Sequence, residues 1–396
     1  MSSSPASFSS APPLWRLFLQ AQADFLHLIC AETAACFRRK FSRPVLRFLW
    51  CLLVFPLIFL WQAGNWFFLF LDEWLFPAAR RQPLNRPVFV LGPPRSGTTF
   101  LHRLLTYSSP AFSSAPAWEL LLAPSVCQKK ILAFLRGADR ICGSPLRKTV
   151  LWLEARCTAG LKDTHPGSLL DPEEDYFYLS SLAACTGWII PFPAWRGFQR
   201  LIPGRPAMSD ARRRAALHFY RRCLQKQLYA AGEGKILLSK NASFSSWTDL
   251  LPDFFPDARW IILLRNPLET VPSMLSTADQ AMQGCFAGEK HPEFPEQLLA
   301  AMQAHYQTLR QSVPGLSPCV TVNHAELRQR LPELLRLLEE RLELPFDPEF
   351  KARLTEWGEK SARHQSSHHY ALADWDLDAE SLRQTCPLMP STLSTL

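Results

Sequence analysis

An uncharged apolar stretch dominates the first quarter of the chain: Phe48 to Leu71 contains no Asp, Glu, Lys or Arg. Such a run meets the roughly 20 apolar residues that crossing a bilayer requires. Pro56 and the polar patch Gln62-Ala63-Gly64-Asn65 interrupt it. The pattern therefore predicts two shorter runs that lie in the interface or form a re-entrant hairpin, rather than one crossing. Trp50, Trp61, Trp66 and Trp74 suit headgroup depth. Ahead of this stretch, Leu14 to Phe41 has helical texture and a basic end at Arg38, Arg39, Lys40, Arg43 and Arg47. Residues 1–14 are rich in Ser, Ala and Pro and are expected to be disordered. The run lies too far from Met1, and lacks a small-residue cleavage site, for an ordinary signal peptide. A single crossing would put the basic end in the cytoplasm and the rest of the chain outside it. A dip into one leaflet would leave the chain cytosolic, and the basic residues Arg80, Arg81 and Arg86 on the far flank blur the asymmetry. The competing reading is a buried helical hairpin packed on the rest of the protein.

From Arg86 onward the rhythm changes. Short apolar runs at Val88–Leu91, Lys235–Ser239, Trp260–Leu264 and Cys319–Asn323 read as buried strands. Helical patterns lie between and after them, at 131–162, 209–232, about 293–313 and 331–344. Alternation of this kind implies an α/β fold: a parallel sheet covered by helices on both faces. The expected division is a tail at 1–14, a hydrophobic helical membrane-associated arm at 15–82 and a catalytic domain at 83–396.

The first strand runs into Gly92-Pro93-Pro94-Arg95-Ser96-Gly97-Thr98-Thr99, and helical spacing resumes at Phe100, Leu101, Leu104 and Leu105. Strand, glycine loop and helix together bring backbone N–H groups and a helix N-terminus onto an anion. Gly92 and Gly97 have Walker A spacing, but Thr98 stands where the Walker lysine belongs. A kinase needs that lysine on its phosphates. Here the cation is Arg95, two residues before the second glycine. Further on, Trp260 to Leu264 ends at Arg265-Asn266-Pro267, and Ser273 follows Arg265 by eight residues. An arginine fork with a hydroxyl near a helix start makes a clamp for a phosphomonoester. Taken alone, each feature is also a turn, a cap or an exposed serine; their pairing favours one anionic nucleotide.

This pair resembles the sulfotransferases, closest to their membrane-linked bacterial and protist members and related to the heparan and tyrosylprotein types. The resemblance runs from about Arg86 to Asn323 and implies a P-loop NTPase-like parallel sheet. It also implies 3′-phosphoadenosine 5′-phosphosulfate (PAPS) as co-substrate, with no metal. Arg95, Ser96, Gly97, Thr98 and Thr99 would then hold the 5′-phosphosulfate, while Arg265 and Ser273 would hold the 3′-phosphate. By the same likeness, Lys240 at a strand end would face the transferred group. Glu119, in Ala117-Trp118-Glu119-Leu120, resembles the base of the heparan and tyrosylprotein types. Burial beside Trp118 would push its carboxyl towards a useful base. His165, in Lys162-Asp163-Thr164-His165, is the rival base. Each also has a plainer reading: helix-start cap for Glu119, loop bystander for His165, surface lysine for Lys240. Pro172-Glu173-Glu174-Asp175 reads first as a helix N-terminus with proline at N1, and second as an acidic run near the acceptor. Acceptors would be hydroxyl- or amine-bearing glycans, lipids or small molecules.

Composition narrows the alternatives. With 396 residues, 47% hydrophobic and 20% charged, the chain is globular or membrane-linked and not disordered. A formal charge of +8 suits an anionic co-substrate or an anionic membrane, and is too dispersed for nucleic acid. The 11 cysteines contain no C-x-x-C pair, which argues against a metal site, as does the lack of ligand spacing around His364, His368 and His369. Gln365 to Asp376, with Tyr370, resembles a tail segment of the same family. Two other classes stay in view: a P-loop nucleotide kinase, and a membrane scaffold with a degenerate nucleotide fold.

Overall fold

A computed structural model describes residues 11–38, 43–157, 168–189, 191–192, 194–195, 209–286, 294–353 and 372–392. His165 and the His364–Tyr370 segment lie outside them. At the centre is a five-stranded sheet, β1 (Val88–Leu91), β2 (Phe112–Ser113), β3 (Ile236–Lys240), β4 (Arg259–Leu264) and β5 (Cys319–Asn323), in the order β2-β3-β1-β4-β5. Every pairing is parallel. Strands that all run one way need crossover connections, and helices supply them on both faces.

Period-two alternation sorts the strand residues between two layers. Val88, Val90, Leu238, Ile261, Leu263, Val320 and Val322 pack with α3 (Thr98–Ser108) and the amphipathic helix Leu331–Leu342. Phe89, Leu91, Leu237, Trp260, Ile262 and Leu264 face the other way, onto α7 (Asp210–Ala231) and the aromatic segment from Tyr176 to Trp188. The four longer strands lie within a residue or two of where the apolar runs placed them. β2 is the addition: two residues are too short for any periodicity to announce.

The N-terminal arm consists of two long helices, α1 (Leu14–Phe37) and α2 (Pro44–Leu75). Here the expectation of two separate apolar runs is corrected: α2 continues through Pro56 as one helix of 32 residues. A proline removes one hydrogen bond and crowds the preceding turn, a cost of about 3 kcal/mol in isolation. Packing on both sides of Pro56 holds the helix. Trp50, Val54, Phe55, Ile58 and Trp61 lie against Phe25, Leu28, Phe192 and Trp195, while Trp66 and Leu69 join the main core. The polar patch does not break the helix because Asn65 and the Gln62 side-chain carbonyl oxygen are paired. Gln62 accepts from the Trp66 indole (2.8 Å), and Asn65 bridges the Leu121 carbonyl (3.1 Å) and the Gln128 amide (2.8 Å).

Further along the chain, α4 (Ala117–Leu122) is followed by α5 (Val126–Ile141) and α6 (Pro145–Cys157). Asp72 of α2 caps α5, accepting from the Val126 and Cys127 amides (2.7 and 2.9 Å) and from Lys226 Nζ (2.9 Å). The acidic run does not open an α-helix as its Pro-Glu-Glu pattern suggested. Pro172 forms a bridge with Pro116, and a 3-10 helix starts only at Asp175.

Candidate active site

Four strands end on one edge of the sheet, and each ending supplies functional groups. This is where parallel sheets bind ligands, because helix N-termini and loops converge there. After β1 the loop bends at Gly92, where a Cβ would lie 2.3 Å from the Leu263 carbonyl oxygen of the next strand. Gly97 closes the loop at φ +92°, and its Cβ would meet Leu327 and His324 at 2.9 and 3.1 Å. Only glycine fits a left-handed position so enclosed. Arg95 also takes a left-handed conformation, at φ 69°, unusual for a residue with a side chain. The turn is secured by Ser96, whose amide and hydroxyl both donate to the Pro93 carbonyl (3.2 and 2.6 Å). Helix α3 then begins at Thr98, so its first amides open toward the loop.

After β4, Arg265 turns back to that loop. Its Nη1 donates to the Arg95 carbonyl at 2.9 Å, and Arg95 Nε in turn donates to Ser273 Oγ at 3.3 Å. The two motifs, 170 residues apart in sequence, are thus in direct contact. Glu269 also pairs with Arg265 (3.1 Å), and Tyr306 OH donates to the Arg265 carbonyl (2.7 Å).

After β1's other neighbour, β3, Lys240 lies in register with Val90 and is fully buried. Its ammonium reaches Thr99 Oγ1 (3.1 Å), Glu174 Oε1 (3.2 Å) and, most closely, Glu173. A buried ammonium needs such partners, since losing water without them costs several kcal/mol. Arg103 of α3 adds a second cation, 3.4 Å from Asp171 and 3.6 Å from Glu173.

Glu119 sits in the first turn of α4, on the segment that bridges the acidic run. The Ala117 amide donates to the Asp171 carbonyl, and the Glu173 amide to the Ala115 carbonyl, both at 3.2 Å. The Glu119 carboxylate accepts from Lys129 Nζ (2.7 Å), which also reaches Tyr178 OH (3.1 Å). So the carboxylates on Lys240 are Glu173 and Glu174, whereas Glu119 has its own lysine.

Two histidines at this edge, His324 and His102, are not among the sequence candidates, and Asp175 is among them only as the last member of the acidic run. His324 follows β5 and stands against Gly97; burial, with Arg265 and Arg328 nearby, lowers its pKa to about 4. His102, buried in α3 with Nε2 2.8 Å from Ser114 Oγ, is lowered to about 3 by burial and then by Lys240. Asp175 is raised to about 7 by burial. The nearby Ser239 and Tyr220 hydroxyls, themselves 3.0 Å apart, offset that only in part, and neither carboxylate oxygen has a well-formed hydrogen bond. His324 follows a strand end, a positional signal available in sequence; the other two depend on tertiary burial. Among the described residues no His, Cys, Asp and Glu group of three or more is arranged to hold a metal ion.

A parallel sheet with a glycine loop and cations on its carboxyl edge places the chain in the P-loop class of folds. Residues 87–348 match the sulfotransferase family, and the chain belongs to it. Sulfotransferase STF9 from Mycobacterium avium is similar over 96% of each chain, with a TM-score of 0.65 and 19% identity. Sulfotransferase STF1 from Mycobacterium tuberculosis is similar over 95% of this chain and 99% of its own, with a TM-score of 0.61 and 17% identity. At such identities the likeness concerns the fold. Comparison with curated proteins finds no match.

Proposed function

We propose that this sulfotransferase takes its sulfuryl group from PAPS and passes it to a hydroxyl or amine of a glycan, lipid or small-molecule acceptor. The observation that carries the reading is the contact of the Arg265 guanidinium with the loop at Arg95, 2.9 Å away. One nucleotide with phosphates at both ends of its ribose spans such a junction. Arg265 and Ser273 hold the 3′-phosphate, and Arg95 with the amides of Gly97, Thr98 and Thr99 holds the 5′-phosphosulfate, while Ser96, whose own amide is turned to the Pro93 carbonyl, secures the loop. The donor set suits this ligand: fixed arginine charge, open amides at a helix start and glycines that let the backbone approach.

In the proposed reaction the Glu119 carboxylate takes the acceptor's proton as the acceptor oxygen or nitrogen bonds to sulfur. The bond from sulfur to the 5′-phosphate oxygen breaks, and 3′-phosphoadenosine 5′-phosphate departs. Lys240 and Arg95 stabilise the charge that gathers on the leaving oxygen and on the flattened sulfuryl group. Lys129 keeps the Glu119 carboxylate oriented, and His165 is the alternative base.

The arm is proposed to rest on a membrane and not to cross it. Helix α2 is long and apolar enough to span. Yet it is tied to the rest of the chain along its length, by Arg47 to Glu32 (2.9 Å), Asn65 to Gln128 and Asp72 to Lys226. Leu46, Leu49, Leu53, Leu57 and Leu60 remain exposed on the outer side, as for an interfacial helix.

Incubation with sulfur-labelled PAPS and a mixture of host lipids, glycans and small molecules tests the donor. Label should move from nucleotide to acceptor with loss of 3′-phosphoadenosine 5′-phosphate. No transfer, together with phosphoryl transfer from ATP, would replace this reading with a kinase.

A further inference from the structure

Helices α5 and α6, joined through Asp139, form a hairpin that starts beside Glu119, through Lys129. From Lys130 to Arg156 nearly every described residue is exposed or half-exposed. Its apolar residues are not the few singles of an ordinary surface. On α5, Ile131, Phe134, Leu135 and Ile141 recur at helical spacing and form one stripe; Phe134 is 76% exposed and Ile141 88%. On α6, Leu146, Val150, Leu151 and Trp152 are exposed as well, Trp152 by 53%. An apolar surface of this extent on a free chain marks an interaction site.

Charge identifies the partner. The exposed cations of the hairpin are Lys130, Arg136, Arg140, Arg147, Lys148 and Arg156, and its acids are Asp139 and Glu154. Both acids are turned to internal use. Asp139 accepts from the amides of Leu146 and Arg147 (2.7 and 3.2 Å), joining the two helices, and Glu154 accepts from Ser168 Oγ (2.8 Å) and the Leu169 amide. None of the six cations has a carboxylate in salt-bridge distance among the described residues. Exposed apolar side chains interleaved with unneutralised cations are the surface of a helix that enters an anionic lipid interface. A second protein copy would bring like charge against this hairpin. Arg136 and Arg156 lie over the rings of Trp118 and Trp152, at 5.4 and 4.1 Å, an arrangement suited to headgroup depth.

We propose that the α5–α6 hairpin is a second membrane-docking element, specific for anionic bilayers. It extends the membrane contact proposed for α2 and rests on that reading only for the orientation of the arm. Both elements meet at Asp72, the cap of α5, so the second contact begins where α2 ends.

Flotation of the full chain with vesicles of phosphatidylcholine, with or without phosphatidylserine, tests this, using four proteins. The wild type should float with phosphatidylserine vesicles, and raising the salt should reduce the floated fraction several-fold. The double variant Phe134→Glu/Trp152→Glu should lose at least fivefold, as should Arg147→Glu/Lys148→Glu. All four side chains are exposed, and an unchanged melting temperature shows that folding is spared. Leu53→Glu/Leu57→Glu reports on α2 separately. If the hairpin variants float like the wild type while the α2 variant does not, the hairpin proposal is overturned and the α2 reading stands. If only the hairpin variants lose binding, the α2 contact fails and this proposal holds. Absence of wild-type flotation, with a concentration-dependent dimer that Phe134→Glu/Trp152→Glu dissolves, would overturn it in favour of self-association.

Discussion

Arg265 links the two halves of the candidate site, and its surroundings define what its loss should do. The guanidinium spans the Arg95 carbonyl and the Glu269 carboxylate, both through charge-assisted bonds. Hydrogen bonds of this type contribute about 1.5–3 kcal/mol, or roughly 10- to 150-fold in affinity. Glu119 makes a different prediction. Glu119→Gln keeps a side chain of the same shape beside Lys129 but cannot accept a proton. Turnover should fall about 10²- to 10⁴-fold, with binding of 3′-phosphoadenosine 5′-phosphate unchanged. Normal turnover of Glu119→Gln in a steady-state assay would move the base to His165.

Asp175 supplies a prediction about stability. Its folded pKa of about 7 exceeds the 3.8 of a free aspartate, so the folded chain binds a proton more readily than the unfolded one. That contribution is complete below about pH 4, declines as the pH rises and is gone above about pH 7. Urea midpoints measured from pH 4 to 8 should therefore be less pH-dependent in Asp175→Asn, with the difference in slope lying between about pH 4 and 7. Identical slopes in the two proteins would show that Asp175 does not titrate in this way. The sequence could not disclose it, because what matters is the position of Asp175 under Tyr220 and Ser239, neither a sequence neighbour.

At the scale of elements, buried strands were legible because each is a bounded run of branched and aromatic residues, and parallel strands have no polar face to confuse the pattern. The sequence pattern misleads in the middle of helix α2 because Pro56 and Asn65 are breakers only where nothing compensates them; Gln128, Leu121 and a packed face do so here. The acidic run misleads because Pro-Glu-Glu-Asp satisfies helix-start chemistry locally. Its partners, Lys240 and Arg103, belong to distant elements. The junction of α2, α5 and α7 is testable through Asp72. This carboxylate is 1% exposed and holds two amides and Lys226, itself 4% exposed in the side chain. Asp72→Ala would leave a buried ammonium and two helix-start amides unpaired. The expected loss is about 3–5 kcal/mol in chemical denaturation. A loss below about 1 kcal/mol would mean that water replaces the carboxylate.

On the scale of the whole molecule, a sheet whose strands all point one way gathers chemistry from residues 92, 240, 265 and 324 on one edge. The sequence located three of those endings, and only the packing of strand on strand brings Arg265 onto the Arg95 loop. The arm is as much a part of this body as the sheet, since Leu14, Leu17, Ala21, Trp66 and Leu69 share its main core. Calorimetric titration of 3′-phosphoadenosine 5′-phosphate into the wild type and Arg265→Ala tests the account most directly. Saturable one-site binding without added metal is expected, weakened about 10- to 150-fold by the substitution. Equal affinity in the two proteins, or binding of ATP in preference to 3′-phosphoadenosine 5′-phosphate, would contradict it.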